Sequence, residues 1–172
     1  YTMDPVRYYL LREIPSSGDG DFSYEKFEER YNGDLANGLG NFAARVSTLA
    51  SKEAEICGKT SKEVGEKIDE VKKTVGQKTK DFKFNEALAS IWDLIQFGDR
   101  YVNENKPLEK ALDIKTKNNI IFNLVFVLKE IGVLLAPYLP KTSELILDSI
   151  RSEKNNFVVN KIQNLFPRIE KK

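Results

Sequence analysis

The sequence predicts an all-α fold, an antiparallel bundle of four to five helices. Apolar residues recur at three- and four-residue steps over most of the chain, and no strand-like alternation exceeds a few residues. Prolines and turn residues separate the helical stretches by short connections, which favour neighbouring helices running in opposite directions. The chain has 172 residues, 41% of them hydrophobic, which suffices for one domain with a real core, alone or with a short appendage.

The first two helices are predicted from their capping residues. Asp4 is expected to cap a short helix over 5–13, because Pro5 at the first helical position gives up no useful N–H. A loop is expected over 14–21. Ser23 is then expected to cap a long helix with apolar positions from Phe27 to Leu49. Glycines inside that helix cost about 1 kcal/mol each relative to Ala, so they indicate close approach by a neighbouring helix or a ligand.

The remaining elements are predicted from the spacing of apolar residues and from the prolines and turn residues that end helices. Trp92 lies in the middle of the strongest helical pattern, so we interpret it as a core residue. Residues 155–172 read as extended or irregular. The predicted helices are a solvent-facing one over 61–80, a stronger one from Phe82 or Phe84 to Lys106, one over 115–136 and a short one over 142–151.

The apolar stretch 120–139 is long enough to suggest a membrane span. It contains Asn123, Lys129 and Glu130, which are expensive in lipid, and Pro137 lies near its end. We therefore predict a buried central helix of the bundle and no membrane association.

Composition excludes several kinds of chemistry. The chain has no histidine, which removes histidine acid–base catalysis and histidine metal sites. Its single cysteine, Cys57, can form neither an internal disulfide nor a zinc site alone, so we expect no metal. The net charge is only +1, so the chain is not a strongly basic nucleic-acid binder by composition.

Asn41 and Arg45 are the most specific polar pair in the chain. They are four residues apart and so project from one side of a helix. An amide beside a guanidinium forms a planar set of donors and acceptors suited to reading base edges. The alternative is that Asn41 caps or bridges inside the bundle and Arg45 pairs with a surface carboxylate.

Several blocks of the sequence resemble the class I aminoacyl-tRNA synthetases, and within them the methionyl-tRNA synthetase family. They occur in the expected order along the whole chain, so the match does not depend on a lone motif. The blocks are Asp4-Pro-Val-Arg-Tyr-Tyr-Leu-Leu-Arg-Glu-Ile-Pro15, Gly18-Asp-Gly-Asp-Phe-Ser23, the helix face from Asn32 to Arg45, Arg100-Tyr-Val-Asn103 followed by Pro107, and Leu165-Phe-Pro-Arg-Ile-Glu170.

The resemblance implies a fragment of a longer ligase that attaches methionine to tRNA with ATP and magnesium. Residues 1–22 would be the end of the stem-contact region, and residues 23–172 the helical anticodon-binding domain with a C-terminal extended segment. The catalytic domain would precede Tyr1, so this fragment would hold no catalytic residue and no cofactor. Its partners would be the anticodon loop of methionine-accepting tRNA and that catalytic domain, in the cytoplasm.

The resemblance also implies which residues bind RNA. Asn41 and Arg45 match positions that read anticodon bases. Separately, four lysines lie near these positions in sequence and could add unspecific phosphate contacts or simply be solvated: Lys106, Lys110, Lys115 and Lys117. Leu108 departs from the family, which has at this position a tryptophan on which the first anticodon base stacks. Stacking is worth about 1–3 kcal/mol per base, so either anticodon affinity is weaker here or another aromatic side chain replaces the ring.

Two other functions stay open from the sequence. The chain could be the anticodon-binding domain of another class I synthetase, for isoleucine, leucine, valine or cysteine. It could also be a helical structural or protein-interaction module that has lost base reading.

Overall fold

The protein is described here by a computed structural model that covers residues 2–14, 20, 22–153 and 156–170. The predicted helical bundle is confirmed, and a small sheet is added to it. The helices are α1 (Met3–Glu13), α2 (Tyr24–Arg30), a π-helical segment (Tyr31–Gly40), α3 (Asn41–Ala50), α4 (Lys62–Lys80), α5 (Phe84–Asn105), α6 (Ile114–Leu135) and α7 (Pro140–Asp148). The strands are β1 (Ile56–Cys57), β2 (Ile150–Glu153) and β3 (Asn156–Val159).

The predicted cap of the first helix is wrong. Thr2 holds the N-cap position, and Asp4 lies inside α1 with 5% of its surface exposed. Its Oδ2 accepts hydrogen bonds from the backbone N–H and the hydroxyl of Thr142, both at 2.7 Å. Thr142 lies in the first turn of α7, where backbone N–H groups lack partners within the helix. Asp4 therefore satisfies a helix start 138 residues away in sequence, not its own.

The long second helix is α-helical at its two ends, as predicted, but its middle is the π-helical segment. Ser23 Oγ accepts from the N–H of Lys26 at 3.2 Å, so the predicted cap is confirmed. α2, the π-helical segment and α3 follow one another with helical dihedral angles at the junctions.

In the π-helical segment, Gly38 lies against Trp92, and a Cβ added at Gly38 would be 3.4 Å from Nε1 of that ring. The same Nε1 donates a hydrogen bond to the Asp34 carbonyl at 3.3 Å. An added Cβ would make only an ordinary contact at Gly38 and none within 4 Å at Gly33, so the prediction of close approach is wrong at these two glycines.

The core lies where α5 and α6 pack against α1, α3 and α4. Trp92 is 7% exposed, and its ring centroid is 4.5 Å from that of Tyr8, which confirms its core position. α4 turns one apolar stripe inward and most of its lysines outward, as a solvent-facing helix was expected to do. The stripe is Val64, Ile68, Val71 and Val75.

α6 is long and apolar enough to cross a membrane by length and composition alone, yet 67% of its most apolar stretch is buried inside the protein. The amide of Asn123, buried within it, donates to the Lys59 carbonyl at 3.1 Å and accepts from the Ser61 N–H at 2.8 Å. The predicted role as a central buried helix is confirmed.

The last part of the chain was only partly predicted. The helix expected over 142–151 ends at Asp148, and Ile150 and Arg151 belong to β2. β3 lies between β1 and β2 and is antiparallel to both, with Phe157 opposite Ile56 on one side and Ser152 on the other. Residues 15–19 and 21 of the predicted loop, and residues 155, 171 and 172 of the extended tail, lie outside the described residues.

We expect Gly98→Ala to destabilise the fold by about 1–3 kcal/mol, because an added Cβ would lie 2.4 Å from Cζ of Phe42. Gly76→Ala is the matched control, since nothing lies within 4 Å of an added Cβ on this exposed turn of α4. It should stabilise the helix by about 0.5–1 kcal/mol. Urea unfolding followed by circular dichroism measures both, and equal effects of the two changes would contradict the close packing at Gly98.

Candidate RNA-binding site

A pocket of about 470 Å³ lies between the ends of α3 and α5 and the segment that follows α5. Lys106 ends α5 in the left-handed conformation, with φ of 41°, so the chain turns back sharply there. Pro107 is buried after the turn, whereas Leu108 is 67% exposed and forms one wall of the pocket. Arg45 lies on the opposite helix, and Val102 and Leu49 provide apolar surface between them.

The guanidinium of Arg45 is held by two side chains of α5. Its Nη2 donates to Oδ1 of Asn103 at 2.8 Å, and its Nη1 lies 3.9 Å from Oδ1 of Asp99. The side chain stays 44% exposed. Because a guanidinium has five N–H donors in a fixed plane, the hydrogen bond to Asn103 orients one edge of it and leaves donors for a ligand.

Asp99 lies half-buried beside this guanidinium. Burial raises its pKa above the ordinary aspartate value, and the positive charge of Arg45 opposes that shift without cancelling it. The ionised carboxylate is therefore held at some cost, in a position that orients Arg45.

Asn41 lies one turn before Arg45 on the same exposed face of α3. It does not line the pocket, and its side-chain amide has no hydrogen-bond partner within the described part of the chain. The structure thus brings Arg45 and Leu108 into one pocket, with the amide of Asn41 beside it and available to a ligand.

The pocket contains no replacement for the absent tryptophan ring among the described residues that line it. Trp92 is committed to the core, and Tyr101, although close in sequence, is buried and packs against Phe97 at 6.2 Å between centroids. The apolar contact available to a base in this pocket therefore comes from aliphatic side chains.

Other amides of the helix face serve the fold. Asn32 exchanges two hydrogen bonds with the backbone of Ile169, donating at 3.0 Å and accepting at 2.9 Å. Asn37 Oδ1 accepts from Nε of Arg168 at 2.9 Å. These contacts attach the C-terminal segment to the π-helical segment, so Asn41 is the amide of this face that remains open to a ligand.

The alternative that Arg45 pairs with a surface carboxylate is met by Asp99, but sequence reasoning did not identify Asp99 or Asn103 as the partners. Both lie on one face of α5, four residues apart, and Asn103 belongs to the block 100–103 that already resembled the family. That spacing was a usable signal, but only the packing of α3 on α5 identifies Arg45 as their common partner. Within the described ranges, no group of three His, Cys, Asp or Glu side chains is placed to hold a metal ion.

Comparison with known proteins identifies the class to which this bundle and pocket belong. Residues 61–171 match the family model described as "Anticodon-binding domain of tRNA ligase", and residues 1–47 match the model described as "tRNA synthetases class I (M)". The chain therefore belongs to the family of anticodon-binding domains of tRNA ligases.

The most similar curated proteins are called Methionine--tRNA ligase. That of Clostridium acetobutylicum is 35% identical over 190 residues, which cover 97% of this chain and 30% of that protein. That of Lactococcus lactis subsp. lactis is 36% identical over 195 residues, covering 99% of this chain and 29% of that protein. The chain thus spans about 30% of the length of these relatives, and the predicted resemblance is confirmed.

Solved structures agree with the fold. Methionyl-tRNA synthetase of Mycobacterium tuberculosis in complex with methionyl-adenylate matches with a TM-score of 0.83 and 25% identity, over 96% of this chain and 37% of that one. The free-state enzyme matches with a TM-score of 0.84 and 24% identity, over 98% of this chain and 39% of that one.

We expect Asp99→Asn to stabilise the protein at neutral pH. Because the folded-state pKa of Asp99 is raised, protonated Asp99 favours folding, and that contribution is lost as the pH rises through the raised pKa. Asparagine is uncharged at every pH, so its advantage should vanish near pH 3, about one unit below the ordinary aspartate pKa. Urea unfolding at both pH values measures this, and a variant less stable at pH 7 would mean that attraction to Arg45 outweighs burial.

Proposed function

We propose that this chain reads the anticodon of methionine-accepting tRNA as the non-catalytic part of a methionine–tRNA ligase. The observation that carries the proposal is the oriented guanidinium of Arg45, held by Asn103 at 2.8 Å at the edge of an open pocket. Anticodon loops are single-stranded, so their bases can leave the stack and present their Watson–Crick edges to such groups.

Each residue has a separate role in the proposed reading. Arg45 donates hydrogen bonds to the acceptor atoms of a base, and Asn41 supplies one further donor and acceptor beside it. Leu108 contacts the face of the base without stacking on it as a ring would. Lys106, which also lines the pocket, supplies an unspecific phosphate contact.

The rest of the function belongs to the longer protein. We propose that residues 1–22 end the stem-contact region and that residues 23–172 form the anticodon-binding domain. Attachment of methionine, with ATP and magnesium, would take place in a catalytic domain outside this chain, and the protein would act in the cytoplasm. The relative solved with methionyl-adenylate supports this division, because this chain matches only 37% of it.

The two alternatives are less well supported. Synthetases for isoleucine, leucine, valine or cysteine are not favoured, since the relatives from Clostridium acetobutylicum and Lactococcus lactis are both called Methionine--tRNA ligase. A helical module without base reading would fit the leucine at position 108. The contact of Arg45 with Asp99 fits such a module too, but the open amide of Asn41 serves no contact of the fold among the described residues and favours a ligand.

We expect Arg45→Ala to lower the preference for a methionine anticodon stem-loop over one with a changed anticodon. A good bidentate contact discriminates by about 1–3 kcal/mol, which sets the expected loss. Asn41→Ala should have a smaller effect in the same direction, because it supplies one contact beside the pocket. Fluorescence anisotropy with both stem-loops measures the two affinities.

The control for these variants is Arg151→Ala, an exposed arginine on β2 away from the pocket. It should leave the ratio of the two affinities unchanged. Equal binding of the unmodified chain to both stem-loops would refute specific anticodon reading and favour the structural module.

We expect Leu108→Trp to strengthen binding of the methionine stem-loop, because an exposed ring at this wall of the pocket can stack on a base. The gain should be about 1–3 kcal/mol, the typical value of one stacking contact. Leu145→Trp, at a half-exposed leucine of α7, is the matched control for a general increase in hydrophobic binding. A gain shared by both variants would contradict stacking at position 108.

A further inference from the structure

A second cavity, of about 850 Å³, opens at the same end of the bundle, between the segment around β1 and the start of α6. We propose that this cavity binds the sugar-phosphate backbone of the RNA strand that continues from the base held at the Arg45 pocket. The inference rests on the proposed function, and it adds a binding site that anticodon reading by Asn41, Arg45 and Leu108 does not require.

The charge of the cavity favours a polyanion. Lys59 and Lys115 line it, both are exposed, and neither forms an ion pair with a carboxylate among the described residues. Lys117, two residues further along α6, is instead neutralised by Glu53 at 2.6 Å. The two lysines of the cavity are therefore available to phosphate groups, and their contribution should depend on salt.

Two carboxylates close in sequence to the cavity residues make structural contacts of their own. Asp113 caps α6, accepting from the N–H of Thr116 at 3.0 Å and from its hydroxyl at 2.6 Å. Glu55 accepts from Nδ2 of Asn156 at 2.6 Å. Both carboxylates keep their negative charge, but neither pairs with Lys59 or Lys115, so each lysine can still contact a phosphate.

The wall that carries Lys59 is fixed to α6. Asn119 Oδ1 accepts from the N–H of Lys59 at 2.8 Å, and the buried Asn123 binds the Lys59 carbonyl at 3.1 Å. The backbone at Gly58 lies so close to α6 that an added Cβ would be 2.6 Å from Cβ of Phe122. Because this backbone is ordered before binding, little conformational entropy is lost when a ligand contacts it.

The two cavities are joined by one short stretch of chain. The segment after α5 places Leu108 at the first pocket, and six residues later Ile114, 79% exposed, lines the second. Asn118, one turn into α6, adds an amide that can bond to a ribose hydroxyl or a base edge. An extended strand leaving the first pocket would thus meet apolar surface, an amide and two cations in succession.

We expect Lys59→Ala and Lys115→Ala each to weaken binding of the methionine stem-loop about fivefold at 0.1 M salt. For single strands, each phosphate contact changes the logarithm of the binding constant by about 0.7 per tenfold change in salt concentration. If the contact contributes nothing at 1 M salt, its loss at 0.1 M salt lowers the binding constant about fivefold. The loss should be the same for the stem-loop with a changed anticodon, and each variant should lower the salt slope by about 0.7. Lys80→Ala, an exposed lysine at the far end of α4, is the control and should change neither quantity.

Cys57 gives a direct measure of occupancy. It is the only cysteine of the chain, it is exposed, and it lines the second cavity. Saturating stem-loop should slow its alkylation by iodoacetamide severalfold in the unmodified chain. Full-rate alkylation under saturation, or unchanged affinity of both Lys59→Ala and Lys115→Ala, would overturn the inference.

Arg45→Ala in the same assay separates the two proposals. If Arg45→Ala loses anticodon preference while the lysine variants bind normally, the second cavity is refuted and anticodon reading stands. If no variant and no changed anticodon alters binding, anticodon reading itself has failed. Protection of Cys57 by the stem-loop, together with weaker binding of both lysine variants, supports the RNA site and excludes a site reserved for a protein partner.

Discussion

The close approach of α3 and α5 is the contact on which the candidate site depends. Gly98 has no side chain, so the ring of Phe42 packs directly on the backbone of α5. This contact lies about one turn from Arg45 on α3 and next to Asp99 on α5. At that separation, Asn103 can hold the Arg45 guanidinium at 2.8 Å. A wider spacing would leave the arginine free to sample many rotamers, and a ligand would then have to order it.

The π-helical segment, which continues directly into α3, supports the fold through its polar residues. Asp34 in the π-helical segment accepts from the hydroxyl of Tyr8 at 2.7 Å and lies 3.3 Å from Arg30, which also bonds Glu13 at 2.8 Å. Burial and the charge of Asp34 raise the pKa of Tyr8, so this hydroxyl remains a donor at any physiological pH. α1 is thereby joined to the helix that carries the base-reading residues.

The two cavities give the end of the bundle a common chemical character. Each combines exposed cations with one exposed aliphatic side chain, Leu108 or Ile114, and the first is also lined by the exposed carboxylate of Glu109. The backbone of the second is fixed to α6 by Asn119 and Asn123.

The net charge of +1 does not show this arrangement, because Glu53 is paired with Lys117 while Lys59 and Lys115 have no carboxylate partner among the described residues. Local pairing of charges, more than overall composition, decides whether this surface can attract RNA.

The sequence determined the elements with local signals. The cap at Ser23, the inward stripe of α4, the core position of Trp92 and the end of α5 near Lys106 all follow from spacing and residue type, and the family resemblance supplied Asn41, Arg45 and Leu108. Only the tertiary structure decided the contacts between distant residues. Asp4 caps α7, Asn32 binds the backbone of Ile169, and β1 pairs with a strand about 100 residues further along the chain.

The sequence predicted some contacts and not others because the partners differ in their separation along the chain. Caps and helical periodicity are satisfied within a few residues, so they leave a pattern in the sequence. A carboxylate or an amide can bond equally well to a near or a distant donor, and a four-residue strand is too short to show alternation. The partners of Arg45 and the second cavity therefore became visible only when the helices were packed together.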